Sequence, residues 1–218
     1  MEPIACTEVI FDLDGTLWTP VALSLVAWRT ACSDFGFDCP CVTTESLLGT
    51  YGMMFSDASG ILLPGIPPDQ QEIITERVFA LENKLIAEGG GDLYPDVREV
   101  LTTLSRCKRL FIASNCQTGY IEAFLQSHQL EHLFCDTIAL GNTGLSKARN
   151  VQLLIERNGI ADAVFVGDAE TDLKAARANN LPFIYASYGY GKVSEYDYRI
   201  DVFKDLASLV PGTNLTAF

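Results

Sequence analysis

The sequence predicts an α/β fold, a Rossmann-like core with a parallel sheet flanked by helices, plus a small α-helical cap domain inserted after the first strand. Three observations lead there. Short runs of β-branched and aromatic residues alternate with helical patterns beyond residue 91. The stretch between the first such run and the rest carries only helical patterns. Acidic and polar residues stand at the ends of the strand runs, where open parallel sheets gather their reactive groups.

The elements follow in order. Glu8 to Phe11 form a buried-strand pattern cut off by "DLDGT", where Gly15 takes the positive φ of a tight turn. Helical patterns cover Val21 to Phe35, Thr44 to Met54 and Asp69 to Glu88, with "LLPGIPP" as a turn-rich joint. The insert closes on Gly89 to Gly91, a flexible glycine run. Residues 19–91 are therefore expected to be the cap, with residues 1–18 and 92–218 as the core. Four further strands are expected at "RLFIAS", "DTIAL", "AVFVGD" and "PFIYAS". Helices at Val97 to Ser105, Tyr120 to His128, Lys147 to Asn158 and Thr171 to Asn179 separate most of them. Such alternation implies right-handed crossovers.

Composition narrows the function classes. With 48% of 218 residues hydrophobic, the chain can fill a sizeable interior. Its net charge of −13 repels polyphosphate backbones, so nucleic acid is not an expected partner. No run approaches the roughly 18 apolar residues of a membrane span, and "MEPIACTEVI" lacks the basic-then-apolar order of a signal peptide. A cytoplasmic protein, monomer or weak homodimer, is expected. The seven cysteines are odd in number and scattered, which favours reduced thiols. Cys39 and Cys41 are a close pair without the second pair that a metal clip needs. The sequon at Asn214 is not read as a glycosylation site in such a chain.

The chemistry is expected at the strand ends. Asp12 and Asp14 end the first strand, and two-residue spacing in extended backbone puts both on one face. Ser114 and Asn115 end "RLFIAS"; Asp168 ends "AVFVGD", with Asp172 one helical turn later. Carboxylates within about 4 Å repel by roughly 4 kcal/mol per pair at an effective dielectric near 20, so a cation must offset them. All-oxygen ligands without histidine suit Mg²⁺, which often takes a phosphate oxygen as a further ligand. A phosphate ester, a small phosphorylated metabolite, is the expected substrate. Lys147 supplies a fixed positive charge, and the Ser114 hydroxyl a donor to phosphoryl oxygens. Asp12 is the candidate nucleophile, and Asp14 the group that protonates the leaving alkoxide and then activates water.

"FDLDGTL", the Ser114-Asn115 pair, Lys147 and "GDAETD" occur in the order of the motifs of the haloacid dehalogenase (HAD) superfamily of aspartate-nucleophile phosphatases, which the chain resembles over nearly its whole length. It is most similar to the phosphoglycolate phosphatase-like and β-phosphoglucomutase-like branch with a helical cap, and "YGYG" at Tyr188 to Gly191 fits that branch. The resemblance implies a Mg²⁺-dependent phosphatase acting through an aspartyl-phosphate. It makes Asp12 nucleophile and metal ligand, Asp14 acid/base with its backbone carbonyl on the metal, and Thr16 a phosphate or acid/base helper. Ser114 and Asn115 would hold phosphate and substrate, Lys147 would bridge nucleophile and phosphate, Asp168 would bind Mg²⁺, and Asp172 would support the metal site from behind. A phosphomutase is the near alternative, and a non-catalytic regulatory protein of the same fold the distant one. Where many members carry Asp-Ser after "DGTL", this chain has Trp18, Thr19 and Pro20, and Ser146 and Ala148 flank the lysine. Family dehalogenases lack the second aspartate, so Asp14 argues against a halide. The insert's one lysine, Lys84, lies in a Glu-rich helix and reads as a surface charge, not a Schiff base.

Other patterns read as ordinary structure. His128 and His132 have helical i, i+4 spacing, but Gln129 stands where a metalloprotease needs glutamate, so a surface helix end is expected. "GYGKVS" lacks the residues of a nucleotide-binding loop. Trp18, Met53, Met54 and Phe55 are either pocket lining or packing, and Cys116 a small filler.

Overall fold

The computed structural model describes residues 3–211; the sequon at Asn214 lies outside them. Its centre is β1 (Glu8–Phe11), every residue of which is buried. Period-2 alternation sends Val9 and Phe11 into one hydrophobic cluster and Ile10 into another, so β1 is covered on both faces. Each such large side chain contributes roughly 1.5–3 kcal/mol on burial.

The chain then passes through β2 (Trp18–Thr19) into a helical insert of α1 (Val21–Asp34), α2 (Thr44–Leu48), α3 (Phe55–Leu62) and α4 (Pro68–Ala87). It returns through β3 (Asp92–Leu93), which pairs antiparallel with β2, Trp18 opposite Leu93 and Thr19 opposite Asp92. The two crossings of the insert thus form one short ribbon. α1 and α4 bury Ala27, Trp28, Ala31, Ile74 and Val78 in a core of their own.

The predicted helix over Thr44 to Met54 is broken. It stops at Gly49, the chain turns through Gly52 at φ +80°, and α3 starts after Met54. The glycine run is also more constrained than a free joint. Gly91 sits at φ +85°, and any side chain there would collide with the Trp18 ring.

The rest alternates as expected: α5 (Val97–Leu104), β4 (Arg109–Ser114), α6 (Tyr120–His128), β5 (Asp136–Ala139), α7 (Leu140–Thr143), α8 (Lys147–Asn158), β6 (Ala163–Gly167), α9 (Glu170–Ala178), β7 (Phe183–Ala186), β8 (Tyr198–Ile200) and α10 (Leu206–Leu209). Six parallel strands form a sheet in the order β5-β4-β1-β6-β7-β8. The edge strand β8 has too few residues to stand out in its polar surroundings and was not expected from the pattern. Because β1 lies between β4 and β6, connections leave it in both directions, and the crevice at their carboxyl ends is a topological switch point. Among the described residues no helix is long and apolar enough to cross a membrane.

Candidate active site

That crevice opens into a cavity of about 250 Å³. Its floor comes from the core, with Asp12, Asp14, Ser114, Asn115, Lys147 and Asp168 among its lining residues. Its roof comes from the insert.

The floor is organised around Lys147. Ser146 caps α8, its hydroxyl accepting from the Arg149 N–H, and this starts the helix at Lys147, whose side chain is buried. Its Nζ donates to Asp12 Oδ1 and to Asp172 Oδ1, both at 2.6 Å. Burial works against the ammonium, but the two carboxylates outweigh it and raise the lysine above its ordinary range. Asp12 Oδ2 receives no protein donor among the described residues, so the candidate nucleophile has one oxygen tethered and one free.

Asp172 is fully engaged. Its Oδ2 accepts from the backbone N–H of Asp168 at 3.1 Å and of Ala169 at 3.0 Å, and its Oδ1 takes the lysine. The turn into α9 and the Lys147 head are therefore fixed by one side chain. Asp168 is oriented from a third segment: its Oδ2 accepts from the N–H groups of Tyr190, at 2.7 Å, and Gly191, at 3.0 Å. Gly15, at φ +83°, lets the first loop press on this carboxylate; a Cβ there would lie 2.5 Å from Asp168 Oδ2.

Asp12, Asp168 and Asp172 each bring a carboxylate oxygen to within 4.8 Å of the others. Against one ammonium they leave excess negative charge. Burial, then the Asp172 charge, pushes Asp12 well above the usual carboxylate range, and the same two causes push Asp168 up to about 7. Buried oxygens in that frustration fit a hard divalent cation.

Asp14 stands outside the trio. Trp18 Nε1 donates to its Oδ1 at 2.7 Å and the Tyr120 hydroxyl to the same atom at 3.0 Å, while no protein donor among the described residues reaches Oδ2. Burial raises this carboxyl to about 6, with the two hydrogen bonds opposing.

Of the other expected residues, Ser114 is buried and lines the cavity. Asn115 lines it too, and its Nδ2 donates to the Gly52 carbonyl of the insert at 3.2 Å. Thr16 is fully buried and does not line the cavity; its hydroxyl has no hydrogen-bond partner. Met53 and Phe55 line the roof, Met54 is exposed, and Trp18 is packed beneath the floor. His128 is not the surface residue expected of it, because its ring packs edge-on against Trp18 at 5.7 Å, whereas His132 is exposed. Lys84 is exposed and paired with Glu88.

Sequence reasoning missed Tyr120 and the indole of Trp18 as partners of Asp14, since a buried aromatic at a helix start or strand reads as packing. It missed the pairing of Glu82 with Gln117, 2.9 Å apart at the roof, because Glu82 sits in a helix with several surface glutamates. "YGYG" was the visible signal for the Asp168 cradle.

The family model described as haloacid dehalogenase-like hydrolase matches residues 9–186. The chain belongs to this family. It is 27% identical to a phosphoglycolate phosphatase of Aliivibrio fischeri, over 93% of this chain and 95% of that one. A phosphoglycolate phosphatase of Synechococcus elongatus is 30% identical over 84% of each chain. The crystal structure of a haloacid dehalogenase-like hydrolase from Bacteroides fragilis superposes with a TM-score of 0.80 at 23% identity, covering 93% of this chain and all of that one, a likeness of fold.

Proposed function

We propose that this phosphatase hydrolyses a small phosphomonoester through a phosphoaspartyl intermediate on Asp12, with residues 19–91 acting as its cap. The observation that carries the reading is the tethered Asp12 on the cavity lining: Lys147 holds Oδ1, and Oδ2 receives no protein donor among the described residues. Relatives named for phosphoglycolate hydrolysis support the reaction class.

Asp12 Oδ2 attacks phosphorus as the bond to the leaving alkoxide breaks, and Asp14, through its free Oδ2, gives that alkoxide a proton. Asp14 then takes a proton from water, whose oxygen attacks phosphorus and restores the Asp12 carboxylate. Trp18 and Tyr120 keep Asp14 on station through both steps. Ser114, Asn115 and Lys147 receive the phosphoryl oxygens, and Asp172 holds Lys147 in place. Mg²⁺, held by Asp12, Asp168 and the Asp14 carbonyl, would supply the positive charge that offsets the carboxylates and the transferring group.

Release of inorganic phosphate from p-nitrophenyl phosphate, lost on chelation and restored by Mg²⁺, tests the metal. A hydroxylamine-labile phosphoryl label on the wild-type protein, absent from Asp12→Asn, tests the intermediate. Retained turnover in Asp12→Asn overturns the nucleophile assignment, and with a hexose 1-phosphate as substrate an isomeric phosphate in place of free phosphate would make the enzyme a mutase.

A further inference from the structure

The roof has a distinctive charge distribution. Residues 19–91 contain three cations, Arg29, Arg77 and Lys84, and none lines the cavity. Arg29 donates to the Val42 carbonyl at 3.1 Å, Arg77 pairs with Asp34 at 2.8 Å, and Lys84 pairs with Glu88 on the outer surface. Among the described residues the one cation that lines the cavity is Lys147 on the floor, already held by two carboxylates.

The roof walls are Trp28, Leu47, Met53, Phe55, Val78 and Phe79, with Phe55 and Phe79 packed ring to ring at 4.6 Å. Set into this apolar surface is one acid, Glu82, which is buried and accepts from Gln117 Nε2 at 2.9 Å. Burial raises Glu82 to about 7, so at lower pH it is a neutral carboxylic acid that both donates and accepts. Ser24 and Tyr51, hydrogen-bonded to each other, add hydroxyls to the same lining.

An anionic group on the leaving alcohol would enter this roof with no counter-charge, next to an acid. Burying an unpaired charge is costly, whereas hydroxyls on an apolar carbon frame find partners. We infer that the roof selects phosphomonoesters of uncharged, hydroxylated alcohols, the chemistry of a sugar or polyol, and rejects those bearing a second anionic group, with Glu82 and Gln117 reading the hydroxyls. This rests on the phosphatase reading and separates the chain in specificity from the phosphoglycolate phosphatases it is similar to, whose named substrate carries a carboxylate.

A matched pair of esters tests it: 2-hydroxyethyl phosphate and 2-phosphoglycolate, which differ in a hydroxymethyl against a carboxylate. The enzyme with Mg²⁺ is expected to show kcat/KM at least about tenfold higher for the hydroxyl ester, a threshold below the full penalty of an unpaired buried charge. Equal or inverted values overturn the inference. Turnover of p-nitrophenyl phosphate reports on the phosphatase reading separately; should it fail, the same preference is read as a ratio of dissociation constants for the two esters by calorimetry. Met53→Lys, an exposed position on the cavity lining, is expected to narrow the ratio by lowering KM for 2-phosphoglycolate. Glu82→Ala is expected to raise KM for 2-hydroxyethyl phosphate more than for p-nitrophenyl phosphate, and Glu82→Gln to restore it. An unchanged ratio in Met53→Lys, or an equal rise for both esters in Glu82→Ala, sinks the assignment.

Discussion

The floor and roof of one cavity are built on opposite principles. At the floor, Asp12, Asp168 and Asp172 accept from donors of several segments, Lys147 among those donors, with an ion pair or backbone N–H at each contact. On the roof, apolar side chains of α1 to α4 fill space around a single buried acid. A polar partner is lost if it moves by an ångström, while an apolar wall tolerates exchange of one side chain for another of similar volume. On the proposed reading the floor dictates the reaction, and the roof decides which molecule undergoes it.

The most severe way to break this division is to remove the proposed nucleophile. Asp12→Asn is expected to cut turnover of every ester by about 10,000-fold or more, with unchanged circular dichroism. If one ester survives, floor and roof are not separable. Lys147→Met leaves Asp12 and Asp172 facing each other without their shared cation, and is expected to cost about 3–5 kcal/mol in chemical denaturation as well as most activity.

A finer cut separates bond cleavage from leaving-group protonation. Tyr120→Phe removes one of the two donors to Asp14 Oδ1 while keeping the ring. The kcat/KM for alkyl phosphates, which covers the steps up to departure of the leaving group, is expected to fall about tenfold, and kcat/KM for p-nitrophenyl phosphate to change little, because nitrophenolate leaves without a proton. No loss on either would mean that Tyr120 serves packing alone, and equal losses would mean that its hydroxyl does not act through the leaving group.

The last effect belongs to the roof and shows in stability rather than turnover. Glu82 is raised from 4.5 to about 7. Between those values the folded chain keeps a proton that the unfolded chain has released, so stability falls as pH rises through that window. Glu82→Gln abolishes the titration, and is expected to be the more stable protein above about pH 7, by up to roughly 3 kcal/mol in urea unfolding. Parallel pH profiles for the two proteins would refute it.

What could be seen in the sequence follows the same line. The strands bearing Asp12, Ser114 and Asp168 were legible because parallel strands buried on both faces read as unbroken apolar runs that end in polar residues. Lys147 was legible because a cation near a helix start is disfavoured by the helix dipole, and Asp172 from its place one helical turn after Asp168 in the last motif. The Asp14 cradle was not, since Trp18 and Tyr120 approach from β2 and from α6, and aromatic residues carry no mark of the hydrogen bond they make. Nor was the break after Leu48, where a helical pattern runs through Gly49 and only three-dimensional need for a loop over the cavity ends it.

Trp18 occupies two mechanical roles at once. Its main chain is a rung of the ribbon that carries the polypeptide into and out of the insert, and its indole grips the side chain proposed to shuttle protons. The polypeptide that enters and leaves the insert is thereby tied to the proposed acid through a single side chain. Gly91, pressed against the ring, leaves that side chain no room for a neighbour with a Cβ.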